Sequence, residues 1–328
     1  MDNRSLEFEL IHKYFQSQPQ IRNDVAVGIG DDAAVVTPPP QTQIAVTTDT
    51  MVDGVHFDAH VSPRALGHKL VAVNLSDLAA MGAEPAWLSL ALTLPEVDEN
   101  WLEEFSKGLF EISEYYRCQL IGGDVTRGPL TLSLTAQGIL PANRALSRRG
   151  ASPGDWVYVT GKLGDAALAL AGQQGKVTLS PAQQESVNKR LFYPVPQVMA
   201  GQALRSVASS AIDISDGLAG DLGHILAASG LAARINLEAI PRSSIFDEVF
   251  ETPEAAASFL LAGGDDYELC FTIPENRKGV MQTVTSQTGV ELTCIGQLEP
   301  GKGLRVYSEG KLLEDSFYSY SHFGQSNE

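Results

Sequence analysis

Apolar residues recur at helical spacing over residues 6–15 and then gather into short runs at 44–48, 86–94, 118–121 and 130–140. This pattern predicts one amphipathic helix followed by four strands. The clearest helix is predicted between the first two of those strands. Ser62 stands as its N-cap, Pro63 falls in the first turn, where a missing N–H costs nothing, and Gly82 supplies the residue that closes a helix C-terminus. A second helix is predicted over 98–116.

Residues 147–154, SRRGASPG, are small, basic and rich in turn formers, and the strand-like DWVYVTG follows them. That shift predicts two domains, 1–150 and 151–328. In the second, helical patterns at 164–172, 181–191, 197–208 and 217–229 sit among strand patterns at 155–160, 210–214, 231–236, 267–273 and 290–297. Both halves read as mixed α and β, with no internal repeat.

The chain has 328 residues, 44% of them hydrophobic, enough for real cores. Forty acidic against 23 basic residues give a net charge of −17, a field that repels polyanions, so nucleic acid is not expected as a partner and a phosphate substrate would need cations as intermediaries. Cys118, Cys270 and Cys294 form neither a CxxC pair nor a disulfide framework. The acidic N-terminus, MDNRSLEFEL, is unlike a signal peptide, and no apolar run is long enough to span a membrane. These features predict a cytoplasmic protein with no membrane partner.

Acidic residues recur beside glycines or hydroxyls, mostly at predicted strand ends: GIGDD (28–32), TTDT (47–50), GGD (122–124), DISDG (213–217) and GGDD (263–266). Mg²⁺ prefers oxygen ligands and meets proteins through a few carboxylates plus nucleotide phosphates, so five such motifs share one possible purpose. Any single Asp-Gly pair is equally readable as turn chemistry. Asp77 is more telling, because at 100° per residue it shares a helical stripe with Leu66, Leu70, Val73 and Ala80 and with no Lys or Arg. A carboxylate in an apolar row must be protonated, paired or metal-bound, and metal is the favoured reading.

Two familiar nucleotide loops are absent. Trp156 stands where a Walker A loop ending at Gly161-Lys162 needs its first glycine, and Leu163 follows the lysine; Ala33 breaks the GxGxxG that Gly28 and Gly30 begin.

The motifs GIGDDAA (28–34), TTDTMVDGVHF (47–57), AVNLSDLAAMGAEP (72–85), IGGDVTRG (121–128), AIDISDGL (211–218) and GGDDYEL (263–269) resemble those of the thiamine-monophosphate kinase family, in order and spacing, from about residue 5 to residue 323. That family belongs with aminoimidazole ribonucleotide synthetase and selenophosphate synthetase. The resemblance implies an α/β (α+β) chain of two domains with the aminoimidazole-ribonucleotide-synthetase-like fold. Its N-terminal strands would form a barrel across a homodimer, and the C-terminal domain would be mixed α/β. It also implies ATP-dependent phosphorylation of thiamine phosphate to thiamine diphosphate, the last step of thiamine diphosphate biosynthesis, by direct in-line transfer assisted by several Mg²⁺ ions.

Carried over by motif, Asp32, Thr47, Thr48, Asp49, Asp77, Asp124, Asp213 and Asp216 would hold the metals, with Asp32, Asp49, Asp77 and Asp124 central to catalysis. Gly123, Asp124, Arg148 and Ser215 would contact ATP, and His56, Asp265 and Tyr320 the substrate. The family usually reads GGED where this chain reads GGDD, which makes Asp265 one methylene shorter than the usual Glu. Three other readings remain. Selenophosphate synthesis normally needs a reactive Cys or selenocysteine near the N-terminus, whereas the first Cys here is Cys118. A metal-dependent phosphohydrolase would also use clustered carboxylates, and a Mg-ATP sensor would bind nucleotide and turn nothing over.

Overall fold

In the computed structural model, which describes residues 6–19, 21–58 and 60–313, the chain divides into two units. One comprises 1–78 and 83–144; the other comprises 79–82 and 145–328.

The N-terminal unit begins with α1 (Leu6–Ile11), which widens into a π turn over His12–Gln16, so the predicted first helix is not uniformly α. A small antiparallel pair, β1 (Val25–Val27) and β2 (Val35–Val36), comes next; strands this short carry too little periodicity to be foreseen. Then follow β3 (Thr42–Val52), α2 (Pro63–Ala80), β4 (Glu84–Leu94), α3 (Glu99–Tyr115), β5 (Gln119–Arg127) and β6 (Thr131–Pro141). Among the described residues the sheet order is β3-β6-β4-β5, with β4 and β5 parallel and the other pairs antiparallel.

The caps follow the sequence. Ser62 Oγ accepts the Ala65 N–H at 3.2 Å, and Asp98 accepts those of Asn100 and Trp101 at 2.9 and 3.1 Å. Left-handed Gly82 ends α2, its N–H bonding to the Ala79 carbonyl. Helices α2 and α3 approach through glycines: a Cβ on Gly67 would lie 2.2 Å from the Phe105 carbonyl oxygen, and one on Gly108 would lie 1.9 Å from that of Arg64. As a result α2 is buried on nearly every side, including the polar Asn74 and Ser76, so a single apolar stripe does not describe it.

The sheet has one covered and one open face. Leu88, Leu90, Leu92 and Leu94 of β4 and Leu132 and Leu134 of β6 are buried, and Gly138 lets β6 approach Leu78 of α2. The open face is rich in hydroxyls: Thr48 bonds to Thr135 and Thr50 to Ser133, each at 2.8 Å. Ile44 and Val46 on the same face of β3 are 43% and 64% exposed.

The C-terminal unit runs β7 (Trp156–Thr160), α4 (Asp165–Gln173), α5 (Pro181–Phe192), α6 (Val198–Leu204), β8 (Ser210–Ile214), α7 (Leu218–Ser229), β9 (Leu231–Asn236), α8 (Ser244–Val249), α9 (Pro253–Ala262), β10 (Glu268–Ile273), α10 (Met281–Thr288), β11 (Leu292–Pro300), β12 (Gly303–Ser308) and β13 (Lys311–Leu312). Its sheet order is β13-β12-β9-β11-β7-β10-β8, antiparallel apart from the β12–β9 pair. The core gathers Val157, Leu168, Ile212, Leu222, Ile235 and Leu260 among others, all essentially inaccessible. The helix foreseen at 197–208 stops at Leu204, whose carbonyl accepts from Val207 and Ala208 in a closing turn.

Candidate active site

In the N-terminal unit, two of the expected carboxylates stand within strands rather than at their ends. Asp49 is in the middle of β3, and Asp124 is in the middle of β5, which extends well past the apolar run that announced it. The reason is Gly123: its φ of 152° and the 1.8 Å that would separate a Cβ from the Leu90 carbonyl oxygen let the strand continue where no side chain fits. The register aligns Asp49 with Leu134, Leu134 with Leu90 and Leu90 with Gly123, one row across the sheet. Three strand spacings of about 4.8 Å therefore separate the Asp49 row position from that of Gly123 by about 14 Å, at opposite edges of the sheet.

At the β5 edge, Asp31, Asp32, Gly123 and Asp124 line a cleft of about 990 Å³ whose other wall includes Phe8 and His12 from α1 and the π turn. The Asp32 N–H donates to Asp31 Oδ1 at 2.8 Å, turning the GIGDD loop back on itself. The expected Asp32, Gly123 and Asp124 thus share one cleft.

At the β3 edge, Thr47 Oγ1 donates to Asp77 Oδ2, and the Asp49 N–H donates to Asn74 Oδ1 at 3.2 Å. Asn74 is held in turn by its Nδ2 donating to the Leu70 carbonyl at 2.9 Å. Burial, reinforced by the charge of Asp77, pushes the Asp49 carboxyl up to about 6. Thr47, Asp49 and Asp77 therefore form one group. The Thr48 hydroxyl is on the opposite face with Thr135 and does not join them. His56 turns back on the strand end, its Nδ1 accepting the Val52 N–H at 3.1 Å.

In the C-terminal unit, Ser215 and Asp216 follow β8, and the buried Asp213 is within it, opposite Leu269. Asp221 of α7 accepts the Ser215 and Asp216 N–H groups, both at 3.0 Å. Burial pushes the Asp221 carboxyl up to about 7, against those donors and the exposed Arg148 guanidinium, which favour its charge. The 263–267 turn is stitched to the same loop, Asp265 N–H donating to the Ser215 carbonyl and Tyr267 N–H to that of Ile214, each at 2.8 Å. Ser215, Asp216 and Asp265 are thus brought together. Tyr320 lies outside the described residues.

Sequence reasoning missed the carboxylates that hold this region. Both oxygens of Asp266 accept the Gly164 N–H at 3.0 Å, and burial raises its carboxyl well above the usual range. Glu268 accepts from Thr160 Oγ1 at 2.6 Å and pairs with Arg190 at 2.7 Å while burial raises it. Asp221 had a visible signal: it follows Leu218 at i+3 and precedes Leu222 and Ile225, the same apolar-row argument that singled out Asp77.

Among the described residues no three His, Cys, Asp or Glu side chains converge tightly enough to hold a metal alone. The donor chemistry still fits Mg²⁺. Asp49, Asp77 and Thr47 offer only hard oxygens, the two carboxylates oppose each other's charge, and Mg²⁺ habitually completes its shell with water and substrate phosphates.

The AIR synthase related protein N-terminal domain family matches residues 30–140, and the AIR synthase related protein C-terminal domain family matches residues 152–309. The thiamine-monophosphate kinase of Salmonella typhimurium strain LT2 is 49% identical over 319 residues, which cover 97% of this chain and 98% of the relative. The crystal structure of thiamine-monophosphate kinase from Stenotrophomonas maltophilia K279a superposes with a TM-score of 0.82 at 44% identity, covering 89% of this chain and 93% of its own. AaThiL complexed with AMPPCP and TMP superposes with a TM-score of 0.74 at 30% identity, covering 89% and 92%.

Proposed function

The chain belongs to the thiamine-monophosphate kinase family of AIR synthase related proteins, and from that premise we propose that it transfers the γ-phosphoryl group of ATP to thiamine phosphate, forming thiamine diphosphate and ADP. The near-full-length match to a thiamine-monophosphate kinase carries this reading. The structure related at 30% identity, complexed with AMPPCP and TMP, supports ATP and thiamine phosphate as the substrate pair.

Residues 1–150 form the metal- and ATP-binding and dimerisation domain in this reading, and 151–328 the C-terminal domain. Asp32, Thr47, Asp49, Asp77, Asp124, Asp213 and Asp216 supply side-chain oxygen donors for Mg²⁺, which neutralises triphosphate charge when bound, whereas the Thr48 hydroxyl is engaged by Thr135 on the other face of the sheet. Gly123, with no side chain in the cleft wall, leaves the β5 backbone open to close approach by ATP. Arg148 offers a fixed fork of donors to a phosphate, and Ser215 a hydroxyl. His56 and Asp265 are assigned to thiamine phosphate in this reading, as is Tyr320, which lies outside the described residues.

The acceptor is a phosphate oxygen of low pKa, so alignment rather than a strong general base is what the side chains must provide. His56 suits that division, since its Nδ1 is engaged by the Val52 N–H. The cytoplasm supplies both substrates. A homodimer completes the assembly: β3 and β5 are the two edges of the N-terminal sheet, and β3 carries the exposed Ile44 and Val46 that a second copy would cover in a shared barrel.

The test is incubation of the purified protein with Mg-ATP and either thiamine phosphate or thiamine, followed by chromatographic quantification. Equal thiamine diphosphate and ADP from thiamine phosphate, with none from thiamine, is the expected result. Phosphate release without thiamine diphosphate would replace this reading with a phosphohydrolase, and nucleotide binding without any product would replace it with a sensor.

A further inference from the structure

The 263–267 turn is fixed at nearly every backbone position. A Cβ on Gly263 would lie 2.3 Å from the Phe259 carbonyl oxygen and one on Gly264 2.5 Å from that of Ser215, so neither position accepts a side chain without movement. The Asp265 and Tyr267 N–H groups bond to β8 and the loop after it, and the Asp266 carboxylate clamps the Gly164 N–H. Asp265 and Tyr267 both hold left-handed backbone, with φ of 68° and 51°. Asp tolerates that region through its short polar side chain, whereas Tyr gains nothing locally from it, and such strain persists where surrounding structure imposes it.

What the turn's backbone leaves open is the direction of the Asp265 carboxylate. The Tyr267 hydroxyl donates to Asp265 Oδ1 at 2.9 Å, a contact that needs both residues in this left-handed arrangement. Both side chains are half-buried, so the bond forms in surroundings drier than bulk water.

We propose that Tyr267 is a positioning residue: its hydroxyl holds the Asp265 carboxylate at the angle that meets the thiamine moiety, a proposal that rests on Asp265 contacting thiamine phosphate. A carboxylate on a single methylene has only χ1 and χ2 to set, so a hydrogen bond from a rigid phenol bears directly on its orientation.

Steady-state kinetics of the full-length enzyme with Mg-ATP test this, using Tyr267→Phe, Asp265→Ala and the double variant. Tyr267→Phe should raise KM for thiamine phosphate about tenfold, the effect of losing one hydrogen bond to a charged group, with kcat and KM for ATP changed far less. Asp265→Ala should raise the same KM at least as much, and adding Tyr267→Phe to it should change nothing more. A structural role alone would instead lower the thermal midpoint and move both KM values together. An unchanged KM in Tyr267→Phe alongside a raised KM in Asp265→Ala would overturn the positioning role and leave the Asp265 contact standing. Additive effects in the double variant would overturn it too, showing that Tyr267 acts by itself. An unchanged KM in Asp265→Ala would remove the contact on which the proposal rests, and the proposal with it.

Discussion

Asp49 in the N-terminal unit and Asp266 in the C-terminal unit are both carboxyls that burial and a neighbouring carboxylate push toward neutrality, but only Asp266 has a donor and a cation working the other way. Asp49 faces a second carboxylate, Asp77, which pushes it further the same way. Asp266 also has carboxylates beside it, Glu268 and Asp165, which push it the same way, but the Gly164 N–H and the Arg190 guanidinium draw it back, and Glu268 pairs with Arg190 directly. No donor or cation draws Asp49 back in the same way. A displaced carboxyl by itself does not separate site from scaffold, whereas a donor and a cation set against the displacement do.

The contrast is broken most directly at Asp49. Asp49→Asn should lower turnover by about a thousandfold or more, since a metal-binding oxygen is lost. Its thermal midpoint should hold or rise, because the repulsion with Asp77 disappears. Near-normal thiamine diphosphate formation by this variant would remove Asp49 from the site.

Arg190→Ala should do the reverse. It leaves Glu268 buried without its cation and should cost about 3 kcal/mol of stability, at the low end for a broken buried pair because Arg190 itself is partly exposed. Denaturant titration measures this, and the activity of the folded fraction should change much less than the midpoint.

The smallest effect sharpens the comparison through pH. The folded-state value of Asp49, about 6, lies above its unfolded value, so the protonated carboxyl is what stabilises. That contribution is complete below the ordinary carboxylate value of 3.8 and is lost as pH rises through about 6. Millimolar magnesium chloride should offset the loss above pH 6, and Asp49→Asn should abolish that magnesium effect on the melting curve. A magnesium effect equal in the wild type and the variant would separate the ion from Asp49.

How much of this was legible in the sequence follows from the range of the interactions involved. Ser62, Pro63 and Gly82 announced their helix ends because capping is settled within a few residues, while the Asp98 cap of α3 emerged only from the structure. Thr252 and Pro253 carried the same signature for α9 and went unread, although Thr252 Oγ1 does accept the Ala255 N–H. Sheet order was illegible, since pairing β3 with β6 joins residues from Val52 with Thr131 to Thr42 with Pro141, far apart in sequence, and with it the separation of Asp49 from Gly123 across four strands. The alternation that sends Thr47 and Thr48 to opposite faces was legible in principle, but grouping them by motif concealed it. Asp77 was found by an argument stronger than its premise: α2 has no single buried stripe, yet Asp77 does meet Thr47 beside Asp49.

The π turn at His12–Gln16 carries a consequence for how this chain can change length. A π turn holds one residue more than the α turn it replaces, and each residue advances a helix by about 100°. Deleting a single residue there would close the segment to ordinary α geometry while the residues on either side keep their angular positions, because the turn lost and the turn gained each span one full revolution. Phe8 would then stay on the wall it forms opposite Asp32 and Asp124. The same deletion within α1 has no such outlet and would swing Phe8 by about 100°, so one-residue deletions in lineages that keep the cleft should fall within residues 12–16 rather than in α1.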